Sequence, residues 1–175
     1  MSKKILLSAT SQTHASNLSR TQIESLGLMV VQKLNFIPGV TDLRDIISKL
    51  NGNVIYKDLS KKSNQTGYSM EVVAKNNFFI YASNASSSLR DNYIFAHEIA
   101  HYILHSNFGK KPAKFKRYGD DLLEWEANWF AASFLMPKDK FEEISLGYKG
   151  SVLKTAAYFN ITEIAVKMRQ KRLGL

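Results

Sequence analysis

Tyr93-Ile94-Phe95-Ala96-His97-Glu98-Ile99-Ala100-His101-Tyr102-Ile103-Leu104-His105 is the stretch on which the reading of this chain turns. Its apolar residues recur at helical spacing, and the serines at 86–88 stand ready to start the helix. The spacing predicts a long helix from those serines to about His105. His97 and His101 are four residues apart, so both imidazoles lie on one helix face and can reach the same ion. Glu98 projects beside them, where a carboxylate can take a proton from water. Zinc is the expected metal, because it brings the pKa of bound water to about 7 and polarises a carbonyl. The pattern assigns His97 and His101 as ligands and Glu98 as the catalytic base.

A catalytic zinc takes a third protein ligand and keeps one position open. Eight residues carry a helix about 80° past its starting direction, so His105 is expected to point away from an ion on His97 and His101. A role behind the metal ligands, as a helix cap or at the surface suits it better. A further histidine six places after His101 is lacking, since position 107 is Asn. The segment Glu124-Trp125-Glu126-Ala127-Asn128-Trp129-Phe130 offers two carboxylates. Asp121 and Glu124 have the spacing of a capping box, which would occupy Glu124 at the helix start. Glu126 shares helical spacing with Leu122, Leu123 and Phe130 and is expected to face inward, where an unpaired carboxylate is costly and a metal removes that cost. Glu126 is therefore the favoured third ligand. Zinc is the first choice of metal, although a His/His/Glu set also suits manganese.

Working outward, Thr21 and Glu24 suggest a cap for a first helix running to about Asn35, and Pro38-Gly39 ends the pattern. Thr41 is placed to cap a second helix with Leu43, Ile46, Ile47 and Leu50 on its apolar face, stopped by Asn51-Gly52. Three strands are expected around Val54–Tyr56, Gly67–Ala74 and Phe78–Ala82, the last two joined by a turn at Lys75-Asn76-Asn77. Residues 107–120 read as a basic loop. A helix from Asp121 to Leu135 is stopped by Pro137, and two more are expected near 151–159 and 162–172. The expected class is α+β, a small antiparallel or mixed three-stranded sheet beside a helical catalytic half. The expected divisions are a tail at 1–18, a catalytic domain at 19–145 and a C-terminal helical hairpin at 146–175.

Composition limits the function classes. Hydrophobic residues make up 45% of the 175 and charged residues 22%, which suits one globular domain with a real core. Cysteine is absent, so disulfides and thiolate metal sites are excluded. The apolar run in the opening MSKKILLSAT is far shorter than the roughly 7–15 residues of a signal-peptide core. No stretch approaches the roughly 20 apolar residues of a membrane span. A cytoplasmic protein without membrane contact is the expectation. The formal charge of +9 concentrates in Lys110, Lys111, Lys114, Lys116 and Arg117, and again in Lys167, Arg169, Lys171 and Arg172. The second group makes nucleic acid a conceivable partner through a helix-turn-helix at 151–173, although the apolar positions there suit packing on the main domain.

Together these residues resemble the ImmA/IrrE family of metallopeptidases. The resemblance rests on His97–His101 with the trailing Leu104-His105, on Glu126-Ala127-Asn128 followed by Phe130-Ala131, and on Leu135-Met136-Pro137. Ile99-Ala100 replaces the family's usual Leu-Gly, which leaves the ligands untouched. The resemblance covers about residues 20–140 and, more loosely, 150–175. It implies a zincin-like zinc endopeptidase with Glu126 as third ligand, supported by His105 and Asn128. It also implies a protein substrate, a helix-turn-helix repressor, and a role in transcription regulation; a toxin–antitoxin component that binds without cleaving is the alternative. Tyr93, Tyr102, Tyr118 and His105 are near enough to the motif to stabilise an oxyanion, and spacing does not choose among them.

Overall fold

The computed structural model describes residues 13–59, 61, 67–116 and 121–175. Among the described residues, seven α-helices and one four-stranded sheet make an α+β fold. The order is α1 (Arg20–Lys33), α2 (Leu43–Lys49), β1 (Gly52–Lys57), β2 (Tyr68–Ala74), β3 (Asn77–Ser83), α3 (Ser88–Ala100), β4 (Ala113–Lys116), α4 (Leu122–Leu135), α5 (Lys138–Gly147), α6 (Val152–Phe159) and α7 (Glu163–Leu173). A single π-helical turn, His101–His105, continues α3.

The caps explain where the helices begin. Ser19, two residues before the expected Thr21, starts α1: its hydroxyl accepts from the Gln22 N–H, and the Gln22 side chain accepts from the Ser19 N–H in return. Asp42 caps α2 in place of Thr41, whose hydroxyl accepts from Ile37 N instead. Ser87 caps α3 and Asp121 caps α4. Pro137 starts α5, a helix absent from the sequence expectations, and offers no side chain to its first N–H groups.

The strand order is β1-β3-β2-β4, with β1 parallel to β3 and the other pairs antiparallel. The expected sheet of three strands therefore gains a fourth. β4 lies inside the segment read as a basic loop, because Ala113 and Phe115 face the core while Lys114 and Lys116 face outward. This four-residue alternation is short, and its lysines masked it. Lys114 pairs with Glu71 on the neighbouring strand at 3.1 Å.

One core unites the elements. Ile23, Ile46, Phe78, Ile99, Phe130 and Phe159 are all fully buried within it. α4 is flanked by α1 and α3, while α2 packs on β1 and α3. The Phe78 ring stacks on Tyr102 with centroids 4.3 Å apart, fixing the sheet against the π turn. Gly52 lies opposite Phe78 in the β1–β3 register, and a Cβ there would overlap three atoms of the Phe78 ring. Overpacking of this kind costs about 1–3 kcal/mol. Gly52→Ala is expected to lower Tm by about 2–4 °C per kcal/mol lost, read by thermal unfolding; an unchanged Tm would show that the ring yields freely.

Residues 1–12 of the expected tail lie outside the described residues. Residues 13–18 have no regular secondary structure, with Asn17 in the left-handed region, Leu18 against the core and the Ser16 N–H donated to Glu126 at 2.8 Å. At the other end α6 and α7 form a helix pair turned by left-handed Asn160, and Phe159, Ile161 and Val166 enter the common core. Arg169, read as part of a basic face, is 1% exposed and bonded to Glu24, so it is not part of an exposed basic helix face. No described helix is long and apolar enough to cross a membrane.

Candidate metal centre

α3 and α4 pack side by side, and their facing surfaces bring three ligand groups together: His97 and His101 from α3 and its π turn, and Glu124 from α4. His97 Nε2 and His101 Nε2 are 3.1 Å apart, His97 Nε2 lies 3.1 Å from Glu124 Oε2, and His101 Nε2 lies 3.3 Å from Glu124 Oε1. Ligands at the usual 2.0–2.1 Å from a tetrahedral zinc are separated by about 3.3 Å, the edge of that tetrahedron. The three atoms therefore fit three corners of a zinc site. Two imidazole nitrogens this close would repel through their lone pairs without a proton or a cation between them.

The electrostatics favour ligand forms. Burial drives His101 down to about 3, which keeps its imidazole neutral. Burial works against the charge of Glu124, but hydrogen bonds from His101 and His97 outweigh it and hold this carboxylate well below its ordinary range. His97 moves the other way: burial opposes its positive form, but the hydrogen bond to Glu124 and the nearby charge of Glu98 raise its pKa above the ordinary value. A metal ion would replace the proton that His97 shares with Glu124.

Each histidine is held from behind. Once Nε2 is given to a metal, the hydrogen of each imidazole would sit on Nδ1. His97 Nδ1–H points to Asn128 Oδ1 at 3.2 Å, and Asn128 sits one turn after Glu124 on α4. The Tyr93 hydroxyl donates to the same oxygen at 3.4 Å. His101 Nδ1–H reaches His105 Nδ1 at 2.9 Å, and His105 Nε2–H reaches Glu126 Oε2 at 2.9 Å. This buried chain has a consistent donor direction and ends on a carboxylate that also accepts from Ser16. Such outer partners fix tautomer and orientation. Burial pushes His105 below its ordinary pKa against the pull of Glu126, consistent with a neutral link. Phe115 stacks on the His101 ring from β4, with centroids 4.5 Å apart.

The structure does not bring Glu126, the expected third ligand, to the two histidines. Glu126 is buried and inward-facing, but its carboxylate meets His105 rather than the His97–His101 pair. Glu124 stands there instead. Only half of the expected capping box forms: Asp121 accepts from the Glu124 N–H, while the Glu124 side chain turns to the histidines. His105 does not join the ligand group, yet it touches His101 from behind. A π turn at 101–105, closed by Ser106 N–H on His101 C=O at 3.0 Å, has no mark in the apolar periodicity.

An open cavity of about 560 Å³ leads to this group, lined among others by Arg90, Tyr93, His97, Glu98, Glu124 and Asn128. The ends of β2 and β3 supply Ser69, Ala82 and Ser83 to its opposite wall. Glu98 is 3% exposed, so its carboxylate meets what enters the cavity and little bulk water. Of the four groups considered for an oxyanion, Tyr93 lines the cavity; Tyr102 bonds Asn76 N and Phe108 C=O, and His105 is engaged with Glu126. Tyr118 lies outside the described residues.

No curated protein matches the chain. Among protein families, the Peptidase M78 family, described as the IrrE N-terminal-like domain, matches residues 48–171, from the end of α2 to the last turns of α7. With more than half of its length inside that match, this chain belongs to the IrrE N-terminal-like family of metallopeptidase-like proteins.

Proposed function

We propose that this protein is a zinc endopeptidase that cleaves a protein substrate, with His97, His101 and Glu124 holding the metal and Glu98 acting as base. The observation that carries this reading is three candidate ligand atoms at tetrahedral spacing, two of whose residues, His97 and Glu124, line the cavity that Glu98 also lines. Zinc bound there would supply a Lewis acid for the scissile carbonyl and a source of nucleophilic water near neutral pH. Glu98 takes a proton from the attacking water as its oxygen bonds to the carbonyl carbon. It returns that proton to the amide nitrogen as the C–N bond breaks, and it ends ionised again. Tyr93 lines the cavity, and its hydroxyl would donate to the oxyanion by turning away from Asn128 Oδ1. Asn128 and the His105–Glu126 pair keep the two imidazoles in ligating tautomers.

The substrate class comes from the resemblance: a helix-turn-helix repressor in the cytoplasm, whose cleavage relieves repression of transcription. An open cavity between a helix and strand ends suits an extended peptide segment. The test incubates the zinc-loaded protein with candidate repressors from the same genome and reads fragments by mass spectrometry. One discrete cut, abolished by a chelator and restored by zinc, is the expected result. A repressor that is bound but stays intact in the presence of zinc would favour sequestration over proteolysis.

A further inference from the structure

A second cavity, of about 600 Å³, lies among α1, the α4–α5 junction and the end of α7 and shares no lining residue with the metal cleft. Arg20, Lys138, Arg169 and Arg172 line it, against two carboxylates, Glu24 and Asp139. Glu24 Oε1 is already shared between Arg20 Nε and Arg169 Nη1, each at 3.2 Å. Arg169 is 1% exposed, yet among the described residues Glu24 is its one bonded partner, and its Nε is buried with no acceptor. A guanidinium has five N–H donors, and the one at Nε is left with no acceptor.

The surroundings point the same way. Pro137, Lys138 and Asp139 bring the start of α5 to the cavity, and no side chain caps that helix. Its first N–H groups and the positive end of its dipole attract an anion. Burial depresses the pKa of Arg169 against the pull of Glu24, and the charges of Arg20 and Arg172 add a smaller repulsion. An anion would relieve that repulsion.

We infer that this cavity binds a phosphate group, carried by a small phosphorylated molecule, on Arg20, Arg169, Arg172 and the N-terminus of α5. Arginine forks match tetrahedral oxyanions, and the volume is that of a small-molecule site rather than of one free ion. The back wall is α4: Arg172 Nη1 reaches the Asn128 carbonyl at 3.5 Å, on the residue whose side chain holds His97. An occupant would thus sit one residue away from the support of the metal centre.

The test is calorimetric titration of inorganic phosphate, and separately of adenosine monophosphate, into the full zinc-loaded chain. Saturable binding is expected, weakened about tenfold or more in Arg172→Gln and in Arg20→Gln. Both positions are at least partly exposed, and thermal unfolding would confirm that the variants fold. Tighter binding of the monophosphate identifies an ester as the ligand; equal affinities identify free phosphate, and both keep the site. No saturable binding of either probe overturns the inference. So does binding that both arginine variants retain and His97→Ala removes, since the anion would then be at the metal centre.

Discussion

Glu98→Gln is expected to slow substrate cleavage by about 10²–10⁴-fold while leaving the zinc content unchanged. The substitution preserves the shape of a side chain that is 3% exposed, so the packing of α3 should hold. It removes the ability to take up a proton, and with it the shuttle between attacking water and leaving amine. Zinc should stay because the proposed ligand atoms belong to His97, His101 and Glu124. Single-turnover cleavage of the identified substrate, with elemental analysis of the same preparation, checks both halves. A variant that cuts at the native rate would remove Glu98 from the mechanism. Loss of zinc along with activity would mean that Glu98 supports the metal, and the rate alone could not then assign its role.

The sequence carries the parts of this fold that are built from regular repeats. His97 and His101 were legible because four residues make about one helical turn, and a helix delivers both imidazoles to one side whatever surrounds it. The β2–β3 hairpin and the helix starting at Asp121 were marked by turn residues and a cap, signals that act locally. Legibility ended where a side chain had two partners to choose between. Glu124 fits a capping box by spacing, yet two histidines on another helix outbid the backbone N–H of Asp121, and only tertiary packing sets that competition. His105 is a similar case. Its expected direction assumed regular α-helical geometry, and the π turn at 101–105 brings it to 2.9 Å from His101. β4 went unread because its inward residues, Ala113 and Phe115, are too few to show a period between lysines.

The sharpest separation should come from Glu124→Ala and Glu126→Ala, two residues apart on one helix. Glu124→Ala removes one of three ligand groups and leaves a half-buried site that a water molecule can fill, so the fold should survive. Zinc content is expected to fall from about one per chain to a small fraction of that. Glu126→Ala should behave differently. It leaves His105 Nε2–H and the Ser16 N–H without an acceptor in a site that is 1% exposed at Glu126, a cost of about 1–3 kcal/mol to folding. The ligand group stays complete, but His101 loses the far end of its support. Outer-partner losses of this kind weaken metal binding about 10–100-fold. Zinc should therefore remain near one per chain on purification and come off more readily in competition with a chelator. Glu126→Gln sharpens the comparison, because its amide oxygen can still accept from His105 Nε2–H and should restore most of the affinity. The reverse pattern, zinc lost in Glu126→Ala and kept in Glu124→Ala, would return the third ligand to Glu126. It would require α4 to turn Glu126 off His105 and onto the His97–His101 pair when metal binds.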